Sequence, residues 1–200
     1  MEIKEIVAAT RNTKKLAELE RILKGSGVRL LGLDAFPGCP EVEETGSTFE
    51  ENARLKASAV AGYTGRYALA DDSGLEVDAL NGAPGVYSAR YAGAEPDDKR
   101  NLAKLLEELK GVPPDKRTAR FHAVIALAAP GGRIVGTFDG TVEGAIGEAP
   151  KGESGFGYDP VFYPRGHGRT FAQMAPGEKD SMSHRARALA LLSGFLKKER

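Results

Sequence analysis

Apolar and polar positions follow two different periods along this chain, and the pattern predicts a mixed α/β protein. Short runs of β-branched and small apolar residues predict strands at 3–9, 28–31, 67–70, 119–129, 133–142 and 159–163. Apolar stripes with helical spacing predict helices at 14–24, 47–61, 96–110 and 183–196. Strands and helices alternate at first, and a hairpin follows around Pro130-Gly131-Gly132. The sheet should therefore contain both parallel and antiparallel strands.

The stretch Ala70-Asp71-Asp72-Ser73-Gly74-Leu75 places two carboxylates directly after the apolar run 67–70. We expect the strand to end here and the backbone to turn out of the core. Carboxylates at a strand end can hold a hard cation and orient a water molecule. The same residue types are also ordinary in a polar hairpin turn. The stretch alone leaves both interpretations open.

Composition narrows the possible functions. Lys+Arg and Asp+Glu are both 28, so the formal net charge is zero, whereas a duplex nucleic-acid binder usually carries a basic excess. Cys39 is the only cysteine, and the three histidines are far apart, which argues against a disulfide framework and a Cys/His zinc site. The sequence has no signal-peptide core and no apolar run that approaches a membrane span. We therefore expect a single cytoplasmic domain over residues 1–200 with no membrane and no nucleic-acid partner.

Three further segments could bind a ligand. Residues 10–15 lie between a predicted strand and a helix, where free N–H groups and the helix dipole favour an anion. Glycines flank Phe156 in 155–160, so its ring could lie flat against a planar ligand. Cations crowd the helix start at 179–185, where they oppose the dipole. Each segment also has an ordinary structural interpretation: a capped helix, a glycine-rich hairpin and solvated cations.

Several common enzyme signatures are missing from the chain. It has no G-x-x-x-x-G-K-[ST] loop, no G-x-G-x-x-G after a strand and no G-x-S-x-G elbow. A P-loop ATPase, a kinase, a Rossmann dehydrogenase and a serine hydrolase are therefore poor fits.

Six segments, taken in order, resemble the inosine triphosphate pyrophosphatase family, also called the dITP/XTP pyrophosphatases. They are Thr10-x-Asn12-x-x-Lys15-x-x-Glu18, Glu43-Glu44-Thr45-Gly46-x-Thr48-Phe49-x-x-Asn52-Ala53-x-x-Lys56, Ala70-Asp71-Asp72-Ser73-Gly74-Leu75, Gly82-Ala83-Pro84-Gly85-Val86-Tyr87-Ser88-Ala89-Arg90-Tyr91, Gly155-Phe156-Gly157-Tyr158-Asp159-Pro160 and Ser183-His184-Arg185. The resemblance implies a Mg²⁺-dependent hydrolase that converts ITP, dITP and XTP to the monophosphate and pyrophosphate and so cleanses the nucleotide pool. It also implies a long mixed β-sheet flanked by helices, with two lobes around a central active-site groove, and a homodimer.

The resemblance also implies roles for individual residues. Asp72 would activate or orient the attacking water and, with Glu43, would hold Mg²⁺, although spacing alone leaves Asp71 as a rival to Asp72. The residues implied in binding the triphosphate are Thr10, Arg11, Asn12, Thr13, Lys14, Lys15, Lys56 and Ser73. Phe156 would stack on the base, and the rest of the base pocket would be formed by Gly157, Tyr158, Asp159, Lys179, His184 and Arg185.

Base selectivity would then have a physical cause. Hypoxanthine and xanthine carry a carbonyl oxygen at C6 that a donor such as Arg185 can satisfy, whereas adenine would leave two donors facing each other. Two alternatives stay open at this point: a pyrophosphatase for other modified nucleotides, including pyrimidines, and a non-catalytic module that binds nucleotides or nucleic acid.

Overall fold

The computed structural model describes residues 3–198 and confirms the predicted α/β fold with a mixed sheet. The strands are β1 (Glu5–Ala8), β2 (Arg29–Leu31), β3 (Ala68–Val77), β4 (Thr118–Ala128), β5 (Ile134–Ile146) and β6 (Phe162–Pro164). The α-helices are α1 (Thr13–Leu23), α2 (Phe49–Thr64), α3 (Asp98–Glu108), α4 (Pro176–Asp180) and α5 (His184–Lys198). Within the described residues the strand order is β2-β1-β3-β4-β5-β6. β1 pairs in parallel with β2 and β3, and β5 pairs antiparallel with β6, so the sheet is mixed.

The chain forms two compact units, and the first contains residues 3–72, 123–140 and 185–198. Its apolar core joins Ile6 of β1, Leu19 of α1, Leu69 of β3, Ile125 of β4 and Leu189 of α5, all fully buried. The predicted stripe on α1 therefore packs against the sheet as its spacing indicated. This core fixes β1, α1 and β3, three of the elements that carry polar segments of the first unit.

The second unit contains residues 73–122 and 141–184. Its core is rich in aromatic rings: Phe121 lies 4.6 Å from Phe162 and 6.1 Å from Phe171 between ring centroids. Leu105 of α3 and Leu75 of β3 are fully buried in the same cluster. This core supports the glycine-rich segment around Phe156.

Two sequence-based expectations about strands were wrong. We expected the backbone to turn at Asp71, but β3 continues through the carboxylates to Val77, because Leu75 and Val77 extend its buried apolar face. We also expected a strand at 159–163, but the carbonyl of Tyr158 accepts from the N–H groups of Val161 and Phe162, which closes a turn. The strand β6 therefore starts only at Phe162.

The start of α2 determines where its side chains point. Thr48 is the N-cap, and its Oγ1 accepts from the N–H of Glu51 at 3.1 Å. The Glu51 carboxylate accepts from the N–H and the hydroxyl of Ser47 at 2.7 and 2.9 Å. This reciprocal arrangement satisfies donors at the helix start. It sets the helix phase that buries Asn52 and brings Lys56, one turn later, to β3.

Candidate active site

The loop between β1 and α1 is shaped by its own polar side chains. Asn12 is the N-cap of α1, and its Oδ1 accepts from the N–H groups of Lys14 and Lys15 at 3.0 and 3.1 Å. Thr10 Oγ1 accepts from the N–H of Asn12 at 3.1 Å. Both residues were predicted to bind phosphate, and the structure shows them organising the backbone. A fixed turn at a helix N-terminus is nevertheless well suited to an anion.

The other side chains of this loop lie at the surface. Thr13 and Lys14 are exposed at the first turn of α1. Arg11 is also exposed, and its Nη2 donates to the carbonyl oxygen of Cys39 at 2.6 Å. This bond connects the loop to the acidic segment 37–46. Two loops of the first unit are thus held together by Arg11.

Asp71 lies at the centre of a buried ionic network in the first unit. Lys15 Nζ lies 2.8 Å from Asp71 Oδ2, and Arg185 donates to both Asp71 oxygens at 3.2 Å. Arg185 also donates from Nη1 to Glu18. Burial alone would raise the pKa of Asp71, but the charges of Arg185 and Lys15 hold it well below its usual range. Asp71 therefore stays ionised and is committed to these cations, which makes it a weak rival to Asp72 as the water-activating acid.

Lys56 joins two carboxylates into a second cluster, which we call the lysine bridge (Glu44, Lys56 and Asp72). Its Nζ lies 2.7 Å from Glu44 Oε1 and 2.8 Å from Asp72 Oδ1, and it donates to the carbonyl of Asp71 at 3.0 Å. Burial lowers the pKa of Lys56, but Asp72 and Glu44 outweigh it, so the pKa is raised and the ammonium stays charged. Burial also raises the pKa of Asp72, and the neighbouring Glu44 adds to this. The lysine thus compensates two acids held close together.

Of the two adjacent glutamates in the acidic segment, Glu44 contacts Lys56, whereas Glu43 is exposed. No group of three or more His, Cys, Asp or Glu residues within 3–198 is arranged to hold a metal ion. Asp72 and Glu44 supply two hard oxygen donors, which matches the small number of carboxylates that Mg²⁺ uses when phosphate oxygens and waters complete its shell. The donor set therefore fits Mg²⁺ held jointly with a phosphate ligand.

In the second unit, Asp159 organises the glycine-rich segment around Phe156. Its Oδ2 accepts from the N–H of Phe156 at 2.9 Å and from Lys179 Nζ at 2.6 Å. Gly155 has a φ of +76°, and a Cβ at this position would collide with the Asp159 carboxylate, so the position requires glycine. Lys179 Nζ also lies 5.0 Å from the centroid of the half-buried Phe156 ring. The ammonium is thus held over the aromatic ring, within the distance at which a cation is attracted to a ring face.

Tyr158 and His184 are buried, and each has a described contact within the protein. The Tyr158 hydroxyl donates to the carbonyl of Ser88 at 2.8 Å, and burial raises the pKa of Tyr158. Ser88 Oγ in turn accepts from the N–H of Leu75 on β3 at 2.9 Å. His184 stacks on Phe121 with ring centroids 4.9 Å apart and planes 12° apart. These contacts support the segments that carry Phe156 and Lys179.

The remaining sequence-predicted residues lie in the first unit and on β3. The resemblance implied a place in the base pocket for Arg185, and the structure shows its guanidinium in contact with Asp71 and Glu18 in the first unit. Ser73 is half-buried on β3, directly after Asp72. Sequence reasoning gave no role to Glu18, although it lies three positions after Lys15, so the two side chains share one face of α1.

Within residues 3–198, no helix combines the length and the hydropathy needed to cross a membrane.

Comparison with known proteins assigns the chain to one family. A family model described as the Ham1 family matches residues 6–195. A protein named dITP/XTP pyrophosphatase from Geobacillus kaustophilus (strain HTA426) is 55% identical over 190 residues, covering 95% of this chain and 93% of that protein. The solved structure of the Staphylococcus aureus Ham1 protein matches with a TM-score of 0.87 and 44% identity, covering 98% of this chain and all of the other. A solved nucleoside-triphosphatase / dITP/XTP pyrophosphatase from Mycobacterium abscessus matches with a TM-score of 0.75 and 50% identity over 94% of this chain and 97% of the other.

Proposed function

The chain belongs to the Ham1 family, and on that premise we propose that it is a nucleoside-triphosphate pyrophosphatase acting on deaminated purine nucleotides. It hydrolyses ITP, dITP and XTP to the nucleoside monophosphate and pyrophosphate. Near-full-length similarity to proteins named for this activity supports the reaction. The structural observation that carries the proposal is the lysine bridge, because a protein that only binds nucleotide does not need two acids compensated by one buried lysine.

Hydrolysis of a triphosphate requires charge neutralisation and placement of a water more than covalent catalysis. In the first unit, Lys15 and the loop 10–14 would bind phosphate oxygens, and Lys56 would be a second cation. Ser73, which directly follows Asp72 in the chain, would donate from its hydroxyl. Asp72 and Glu44 would hold Mg²⁺, which when bound would neutralise charge on the phosphate oxygens. Asp72 would orient the attacking water and accept its proton. We prefer Glu44 to Glu43 here because Glu44 is the member of the pair that contacts Lys56.

In the second unit, Phe156 would stack on the purine, with Gly157 leaving its face uncovered. Lys179 would donate to the oxygen at C6, since its ammonium lies 5.0 Å from the centroid of the Phe156 ring and is oriented by Asp159. This assignment moves the donor from Arg185 to Lys179, because Arg185 is engaged by Asp71 and Glu18. Adenine offers an amino group at C6, so a buried donor would face another donor, which a site of this kind rejects strongly.

We further propose that the enzyme is cytoplasmic and homodimeric. The absence of a net charge supports a small-molecule substrate over nucleic acid. The dimer follows from family resemblance and is tested directly by sedimentation of the purified protein.

The function is tested by measuring pyrophosphate release, with Mg²⁺, from ITP, XTP, dITP, GTP, ATP and dUTP. We expect the 6-oxo, non-guanine purines to be the preferred substrates by orders of magnitude over ATP. Preference for dUTP would indicate a pyrophosphatase for other modified nucleotides. Release of single phosphates, or no turnover with retained nucleotide binding, would contradict the proposal.

A further inference from the structure

The side-chain amide of Asn52 forms a hydrogen bond through its oxygen, while its nitrogen is buried without a partner among the described residues. It lies on α2, its side chain is fully buried, and its Oδ1 accepts from the N–H of Gly46 at 2.8 Å. Because the backbone N–H can only donate, the amide oxygen must face Gly46, which fixes the orientation of the group. Its Nδ2 is buried without a hydrogen-bond partner among residues 3–198. An unpaired buried donor costs free energy, and the bond to Gly46 is the described side-chain contact that offsets this cost.

The close contact at Gly46 leaves no room for a side chain at this position. A Cβ added there would lie 2.7 Å from Asn52 Oδ1, 2.7 Å from Glu51 Cβ and 3.0 Å from the backbone nitrogen of Asn52. The acidic loop is therefore pressed onto the first turn of α2 at this point. Glu44 lies two residues earlier in the same loop, and Lys56 lies one helical turn after Asn52. The Asn52–Gly46 bond thus fixes the loop carrying one member of the lysine bridge to the helix carrying another.

A second buried asparagine provides a contrast. Asn101 of α3, in the second unit, uses both halves of its amide: Nδ2 donates to the carbonyl of Ala89 at 2.9 Å, and Oδ1 accepts from the N–H of Ala92 at 2.7 Å. Such a fully satisfied amide is the usual solution for a structural residue. Asn52 departs from it, and it lies on α2 one helical turn before Lys56 of the lysine bridge.

We propose that Asn52 is a positioning residue for the metal site: it holds the loop at Gly46 so that the Glu44 carboxylate stays beside Asp72. The proposal rests on the metal site assigned under the proposed function. It predicts that loss of the bond weakens divalent-cation binding, whether the bond is broken from the helix or from the loop. It also predicts that a substitution at position 52 which keeps an acceptor for the Gly46 N–H leaves the affinity for divalent cations unchanged.

The test compares Asn52→Ala and Gly46→Ala with the wild type. Mn²⁺ binding is measured by water-proton relaxation with inorganic pyrophosphate present at a fixed concentration, to supply the phosphate oxygens, and with a protein-free sample as the blank. Pyrophosphate release from dITP is measured as a function of Mg²⁺. We expect both variants to bind Mn²⁺ at least fivefold more weakly and to need correspondingly more Mg²⁺ for half-maximal rate. Asn52→Asp retains an acceptor for the Gly46 N–H, so it should bind Mn²⁺ no more weakly than the wild type.

Asn101→Ala is the matched control, because it removes a buried amide far along the chain from the lysine bridge. It should lower the melting temperature and leave Mn²⁺ affinity within twofold of the wild type. If Asn52→Ala behaved in the same way, or if Asn52→Asp lost as much affinity as Asn52→Ala, the positioning role would be overturned. Absence of Mn²⁺ binding by the wild type would overturn it too. Failure of the wild type to release pyrophosphate from dITP would instead contradict the proposed function, while the Mn²⁺ comparison would still judge Asn52.

Discussion

Arg185 donates to both carboxylate oxygens of Asp71, from Nε to Oδ1 and from Nη2 to Oδ2, each at 3.2 Å. The two residues are 114 positions apart in the chain, and the pair is almost completely buried, with side-chain exposures of 1% and 0%. A planar guanidinium can bind a carboxylate in this forked way and reach a second acid, here Glu18, with its remaining nitrogen. The first turn of α5 is thereby tied to the middle of β3 within the first unit.

Replacing Arg185 by methionine should destabilise the protein strongly. The substitution keeps much of the volume but leaves Asp71 and Glu18 buried with less positive charge, and breaking a buried pair in this way typically costs about 3–5 kcal/mol. Urea unfolding followed by circular dichroism measures the loss. Arg100→Met is the control, because Arg100 pairs with Asp97 at the surface, where such bridges contribute about 0–1 kcal/mol. Equal losses in the two variants would contradict the role given to the buried network.

Glu44 and Glu43 can be separated by paired substitutions. Glu44→Gln removes one of the two charges that Lys56 compensates and one proposed Mg²⁺ donor. Loss of a group that only orients a metal ligand typically costs about 10–100-fold, so kcat/KM for dITP should fall at least about 10²-fold here. Glu43→Gln, at an exposed position next in the chain, should stay within threefold of the wild type. Rates measured over a Mg²⁺ titration provide the comparison. The reverse order would restore Glu43 as the metal-binding residue.

The fold was largely predictable from apolar periodicity, because most strands and helices bury one continuous face. The α1 stripe with Leu19 and the α3 stripe with Leu105 show this directly, since both residues are fully buried. The error at Asp71 has a tertiary cause. Two adjacent acids normally indicate a turn, but Lys15 and Arg185 neutralise Asp71 inside the sheet, and neither the pairing nor the burial can be seen in the local sequence.

The candidate site was predictable as a set of segments but not as a set of contacts. The spacing of Asn52 and Lys56, one turn apart, indicates a shared face of α2, yet only the fold shows that Glu44 rather than Glu43 contacts this lysine. Arg185 follows His184 directly, so sequence placed both in one pocket. The helix start turns the two side chains to different partners: Phe121 for His184 and Asp71 for Arg185.

Tyr158→Phe tests whether this residue acts through its hydroxyl. The change removes only the bond to the Ser88 carbonyl and should loosen the segment that carries Phe156, so KM for ITP should rise about fivefold while kcat stays within twofold. Tyr163→Phe, on β6 in the same unit, is the matched control and should leave both parameters unchanged. Steady-state kinetics with ITP decide the matter. A fall in kcat at constant KM would mean that the hydroxyl serves the chemical step instead.

Asp72→Asn distinguishes an enzyme from a nucleotide-binding module. The amide keeps the size of the side chain and an oxygen toward Lys56, but it cannot accept a proton and is a poorer ligand for a hard cation. Turnover of dITP should therefore fall at least about 10²-fold, which is the usual range for loss of a general acid–base group. Binding of the nucleotide should persist, because Lys15, Lys179 and Phe156 are unchanged.

Two measurements on this variant make the result decisive. Calorimetric titration of the variant with dITP should give a dissociation constant close to that of the wild type, which is titrated with a chelator present so that it does not hydrolyse the nucleotide. Pyrophosphate release by the variant should be almost abolished. Asp78→Asn provides the control, since this exposed acid directly follows β3 and hydrogen-bonds Thr118 and Arg120, and it should retain full activity. Near-normal turnover by Asp72→Asn would assign the water to another group. Asp71 would remain a poor choice even then, because both of its oxygens are bound by Arg185 and one also by Lys15, and these cations hold its pKa below its usual range.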